Sequence, residues 1–218
     1  MRSTALVALL VLVPATVVGA PKQAVEEAGV LVDQVVATVN QTPISASQVA
    51  LEGAIRNQVA QSAEPSLFGR LLTESSEPLE ALIFREILRQ QPVTRTVMLD
   101  NEVEASKRLD AFEASFESAA DARAFRQAWG LTDATLLDYF QEGVLLEAAI
   151  DLAVDPKITE EEERNYYEKN KNQVFGGRDL AEVSHFVTQQ VYLLKFEAEY
   201  NAWRSRLRAG ATKRYLVR

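Results

Sequence analysis

The chain has 218 residues, 47% hydrophobic and 25% charged, enough to bury a sizeable core as one large domain or two small ones. A formal charge of −8 argues against nucleic acid as a partner, because no broad basic footprint is present to neutralise phosphates. The absence of cysteine removes disulfides, thiolate catalysis and cysteine-ligated zinc, and suits an exported bacterial protein.

Arg2 precedes an apolar run at 5–18, and the small residues Gly19 and Ala20 follow. The run falls short of the ~20 residues a bilayer needs and is interrupted by Pro14. Residues 1–20 therefore read as a signal peptide, cut after Ala15 or Gly19, and the mature protein is expected in the periplasm with no integral membrane insertion. Residues 21–33 are a short charged lead-in.

The stretch 34–51, QVVATVNQTPISASQVAL, organises the rest. Val35, Val36, Ala37, Thr38 and Val39 are β-prone and too few for a helix, so they read as a buried strand. Asn40, Gln41 and Thr42 supply a turn, Pro43 leads a short return arm at Ile44, and Ser45 with Gln48 forms a capping box that opens a helix to about 62. In that helix Leu51, Ile55 and Val59 mark the packing face, with Glu52, Arg56 and Gln61 off it. A lone hairpin is marginal in water. The strand needs another partner, and the other β-like segment is the last, 212–218, so the two ends of the domain are expected to pair.

Residues 63–76 read as a loop or broken helix that buries Leu67, Phe68, Leu71 and Leu72. A helix follows at 77–90 with Pro78 in its first turn. Asp100 is the expected cap of the next helix, where Ala105, Leu109, Phe112 and Phe116 share a face. Ser118 and Asp121 open a short helix carrying Phe125 and Trp129 and ended by Gly130. Thr132 caps a longer one to about 153 with Leu137, Phe140, Val144 and Ala148 inward. Thr159 and Glu162 form a further capping box. Glu160, Glu161, Glu162 and Glu163 point about 100° apart in succession, so they cannot converge on a metal and instead favour the positive helix end. The last helix runs from 179 to about 208. Along it Leu180, Val183, Val187, Val191 and Leu194 hand over to Phe196, Tyr200, Trp203 and Leu207.

Catalytic patterns are poor. The one histidine, His185, has a neighbour, Ser184, that points elsewhere in a helix, and Glu182, three residues back, could pair with it but supplies no nucleophile; no phosphate loop, H-E-x-x-H or G-x-S-x-G is present. Tyr166 and Tyr167 read as an edge and core pair rather than a ligand platform. No cofactor and no metal site is expected.

A signal-like start, then VDQVVATVNQTPISASQV, a set of helices, ITEEEERNYYEKNKNQVF, and a terminal EYNAWRSRLRAGATKRYLV resemble the SurA family of periplasmic chaperones and its relatives PrsA and PpiD. The resemblance covers nearly all of 34–218 and rests on the order of these segments. It departs where Phe175 leads, through Gly176, Gly177 and Arg178, straight into the last helix; the family places parvulin-type prolyl isomerase domains there. Val183, Ser184, His185 and Phe186 echo the first strand of such a domain, with too little chain after them to build it.

The resemblance implies a mainly α fold, a multi-helix chaperone core over 34–175 and 179–218 closed by pairing of the N-terminal and C-terminal strands. It implies an ATP-independent holdase for unfolded or nascent envelope proteins, outer-membrane precursors among them, and not an enzyme. A prolyl isomerase and an adaptor for one folded partner are the alternatives. Phe112, Phe116, Phe125 and Phe140 are the candidate client-binding residues, with plain core packing the competing reading for each.

Overall fold

The computed structural model describes residues 33–74, 77–97 and 101–216. The expected signal peptide, the Asp100 cap and the end of the last strand at Val217 and Arg218 lie outside the described residues. Strand β1 (Val35–Val39) forms a hairpin with β2 (Thr42–Ser45) through Asn40 and Gln41, whose φ angles of 45° and 79° give the mirror-image turn that matches strand twist. Strand β3 (Lys213–Tyr215) pairs antiparallel with the other side of β1, Thr38 opposite Arg214, so the sheet order is β2-β1-β3. The two ends of the domain meet as the sequence reading expects. In β1, Ala37 and Val39 are buried, Val36 and Thr38 between them are half-buried, and Val35 at the start of the strand is exposed.

The remaining described elements are helices. Helix α1 (Ala46–Gln61) opens on the Ser45–Gln48 capping box. A 3-10 turn (Pro65–Phe68) and the single turn α2 (Arg70–Thr73) then bury Phe68, Leu71 and Leu72, whereas Leu67, expected inward with them, is exposed. After α3 (Pro78–Arg89) and a second 3-10 turn (Pro92–Thr96) come α4 (Glu102–Ala114), α5 (Ala119–Trp129) and α6 (Asp133–Ala153). Ser118 and Thr132 cap the last two, and Gly130 ends α5 in the left-handed conformation at φ 62°. Helix α7 (Glu160–Asn170), with its Thr159–Glu162 box, precedes α8 (Leu180–Gly210). The buried residues of α6 are Leu136, Phe140, Val144, Leu146, Ala149 and Ile150, and Leu137 is partly buried against the same cluster as Leu136 and Phe140.

Helix α3 is the centre of the body. Ile83 and Ile87 pack on the sheet residues Ala37, Val39 and Ile44, while Phe84 and Leu88 join Leu146, Ile150, Phe196 and Tyr200 from α6 and α8. A separate cluster joins Ile55 and Val59 of α1 to Phe68, Phe112, Leu136 and Phe140. The fourth cluster belongs wholly to residues 158–191, where Tyr167, Phe175, Val183, Val187 and Val191 give α7 and the outer half of α8 a core of their own. There the Tyr167 ring stacks on Phe175 at 6.1 Å and its hydroxyl donates to the Arg178 carbonyl at 2.7 Å.

Candidate functional site

Helix α8 changes the side it buries. Val183, Val187 and Val191 face α7, whereas Phe196 and Tyr200 face α3 and α6. Five residues separate Val191 from Phe196, a rotation of about 140° at 3.6 residues per turn. The drifting stripe expected from the sequence is thus a switch of faces, and Leu194, placed inward by the periodicity, is exposed.

The switch isolates a row of side chains. Phe186, Leu193, Tyr200 and Leu207 recur at seven-residue spacing and share one side of α8. Tyr200 is fully buried on the body and Leu207 partly so. Phe186 and Leu193 continue the same row along the outer half, and they are 55% and 51% exposed. Between Val183 and Leu194 the chain carries no Asp, Glu, Lys or Arg; Ser184, Thr188, Gln189 and Gln190 fill the spaces. The row is therefore apolar and uncharged along the outer half, with one buried member, one partly buried and two bare. His185 sits on this stretch, exposed, its ring edge-on to Phe186 at 5.9 Å.

The four candidate phenylalanines lie elsewhere, and together. Phe112 meets Phe116 at 5.3 Å, Phe125 at 5.6 Å and Phe140 at 5.7 Å between ring centroids, in edge-on or tilted geometries that aromatic pairs favour. Phe112 and Phe140 are each 1% exposed, and Phe116 and Phe125 partly buried, so this group presents to solvent mainly the edges of Phe116, Phe125 and the neighbouring Trp129.

A third feature escaped the periodicity. A cleft of about 270 Å³ between β2, α1, α3 and α6 is lined in part by Glu52, Arg85, Glu86, Arg89, Tyr139 and Glu142. Glu52, placed off the packing face of α1, is 1% exposed and accepts from Arg56 Nε at 2.7 Å, Arg85 Nη1 at 3.3 Å and the Tyr139 hydroxyl at 2.8 Å. Arg85 reaches Glu142 at 3.0 Å and lies 4.3 Å over the Tyr139 ring. Arg89 joins Glu142 and Glu86. Burial works against the charge of Arg85, but Tyr139, Glu52 and Glu142 around it outweigh that and hold the guanidinium even more firmly protonated than usual. Burial pushes the Tyr139 hydroxyl well above its ordinary value, so it stays a donor to Glu52. The (i, i+4) spacing of Glu52 and Arg56 and the cations inside apolar α3 were the available clue.

A second buried pair fixes the turn before α2. Arg108 bonds Glu147 at 2.8 Å and the Phe68 carbonyl at 3.1 Å, and Glu147 accepts from the Leu71 N–H at 2.9 Å. Gly69 sits against that carboxylate at φ 76°, where any Cβ would collide with it. The chemistry of both networks is matched charge holding helices together. Among the described residues no group of His, Asp or Glu is arranged to hold a metal, and no helix is long and apolar enough to cross a membrane.

No protein-family model matches the chain, and no curated protein does either.

Proposed function

We propose that the protein is an ATP-independent holdase that binds unfolded or nascent envelope proteins, outer-membrane precursors among them, in the periplasm. The observation that carries this reading is the bare half of the α8 row. Phe186 and Leu193 stand exposed on a stretch with no formal charge, in a chain that is 25% charged overall. Apolar side chains in a continuous uncharged setting are what a transient binder of unfolded chains offers, because desolvation then favours contact without demanding one complementary partner. The net charge of −8 keeps such a surface soluble. The segment order that resembles the SurA family, and the direct passage from Phe175 to α8 where that family houses its isomerase, favour chaperone activity over proline isomerisation.

The test is suppression of aggregation. Several unrelated unfolded proteins are diluted into buffer with and without the full chain, and light scattering is followed. Suppression across clients, lost in the double variant Phe186→Asp, Leu193→Asp, is the expected result. Protection of one client alone would point to an adaptor. No protection of any client would reject the reading, and acceleration of cis/trans exchange in a proline peptide, abolished by His185→Ala, would replace it with the isomerase.

A further inference from the structure

The two edges of the sheet differ in what they offer a fourth strand. On β2 the pairing of Thr42 with Val39 and Ile44 with Ala37 turns Pro43 and Ser45 outward. Pro43 has no N–H to give, and the Ser45 N–H is taken by the Gln48 side chain at 2.8 Å. That edge is closed. On β3, Asn40 N–H donates to the Thr212 carbonyl at 2.9 Å and Leu216 N–H to the Val36 carbonyl at 2.8 Å. The alternation of an antiparallel ladder then turns both backbone groups of Lys213 and of Tyr215 away from β1, along the outer edge of the sheet.

This open edge is held in place. Asn40 Oδ1 accepts from the Thr212 N–H at 2.8 Å, and the Tyr215 hydroxyl donates to Glu80 at 2.6 Å. It is also basic. Residues 200–218 hold six Lys and Arg and no Asp or Glu. Arg204 and Arg208 are answered by Glu74 and Glu80, whereas Lys213 and Arg214 form no ion pair among the described residues. A depression lined by Thr38, Asn40, Gln41, Thr212 and Arg214 lies beside the strand.

We propose that the outer edge of β3 is a docking strand for an extended polypeptide segment carrying alternating carboxylates, which adds antiparallel as a fourth strand. Lys213 and Tyr215 supply backbone donors and acceptors in register. A carboxylate opposite Arg214 falls in a non-hydrogen-bonded pair, where side chains approach most closely. The same cations work against other occupants. A second copy of β3 would set Lys213 and Arg214 against themselves, and a neutral or basic strand gains nothing from them. A lipid headgroup layer could answer the cations but not the in-register backbone groups. The proposal does not depend on the α8 surface, and its failure leaves the holdase reading standing.

The test uses the isotope-labelled full chain and two short synthetic peptides of alternating Val and Glu or alternating Val and Lys. The expected result is shifted and slowed exchange of the Lys213 and Tyr215 amides with the Glu peptide, bound about tenfold more tightly than the Lys peptide. Lys213→Pro removes one outward donor while sparing the inner ladder, and binding is lost. Arg214→Glu, which leaves every backbone group intact, weakens the Glu peptide and strengthens the Lys peptide. Equal binding of both peptides, amide shifts confined to α8, or no binding would overturn the proposal. So would binding of anionic lipid vesicles that is indifferent to Lys213→Pro and competes with the Glu peptide.

Discussion

Helix α3 and the outer half of α8 solve opposite problems. α3 buries residues on every side, including the charged Arg85 and Glu86, and its environment answers charge with charge. Arg56, Arg85 and Arg89 face Glu52, Glu86 and Glu142 in one connected set. The outer half of α8 has no charge to answer between Val183 and Leu194, and it leaves Phe186 and Leu193 uncovered. Buried charge forces complementarity from the rest of the fold, because an unmatched ion in a low-dielectric interior is costly. Exposed apolar surface forces nothing from the fold, so it can be kept for something outside it.

That contrast breaks most sharply at Glu52. Glu52→Ala leaves Arg85 buried without the more deeply buried of its two carboxylate partners and should lower stability by about 3–5 kcal/mol. Chemical denaturation of the variant measures it. A loss below about 1 kcal/mol, typical of surface ion pairs, would mean that the network is solvated and that α3 is not the buried centre described above.

The hydroxyl of Tyr139 gives the next largest effect. Its bond to a buried carboxylate is worth roughly 1.5–3 kcal/mol, so Tyr139→Phe should destabilise by about that amount at neutral pH. The sign of the pH effect follows from burial, which raises its pKa above the ordinary 10.0. The stabilisation is therefore complete below about pH 10 and is lost as the pH rises toward the folded-state value. Thermal midpoints across an alkaline series should fall for the native chain and fall less for Tyr139→Phe. Parallel curves would show that another group controls the alkaline limb.

The end of the sheet comes third. Removing residues 215–218 takes away the Tyr215 bond to Glu80 and the Leu216 N–H bond to Val36. Tyr215 and Leu216 are 52% and 57% exposed, so little apolar burial is lost with them. A loss of about 1–3 kcal/mol is expected, read from the thermal midpoint. Collapse of the fold would show that Val217 and Arg218 contribute a contact of their own, and an unchanged midpoint would show that β3 does not hold β1.

The pairing of β1 with β3 was legible because both segments are short, β-prone and without another partner, and caps at Ser45, Ser118, Thr132 and Thr159 placed helix starts to within a residue. The aromatic group of Phe112, Phe116, Phe125 and Phe140 was legible as four members but not as one cluster, since Phe112, Phe125 and Phe140 sit on three helices, with Phe116 just past the end of α4 rather than on its face, and no periodicity encodes how these pack. Glu52 was misplaced for the same reason. A charged residue between apolar ones reads as solvent-facing until Arg85, 33 positions away, is known to meet it. The switch of faces along α8 is a phase change that the residue spacing contained, from Val191 to Phe196, but only the positions of α7 and α3 reveal that two different partners cause it.

The smallest expected effect is also the one that sharpens the comparison. In α3, introducing or removing a charge disturbs a matched interior; on the outer half of α8, the double change Phe186→Asp, Leu193→Asp puts carboxylates where solvent already reaches more than half of each side chain. Surface substitutions of this kind usually move stability by no more than about 0.5 kcal/mol each. The α7 contact uses Val183, Val187 and Val191, on a different side of the helix, and is untouched. Thermal unfolding should therefore be nearly unchanged while protection of aggregating clients is lost, which separates a surface kept for binding from one kept for folding. A large drop in the midpoint would mean that Phe186 or Leu193 is covered in solution, either by another part of the chain or by a second copy. Sedimentation of the native and variant proteins distinguishes those two cases. An unchanged midpoint with protection intact would move client binding away from α8, leaving the partly exposed edges of Phe116, Phe125 and Trp129 as the next surface to alter.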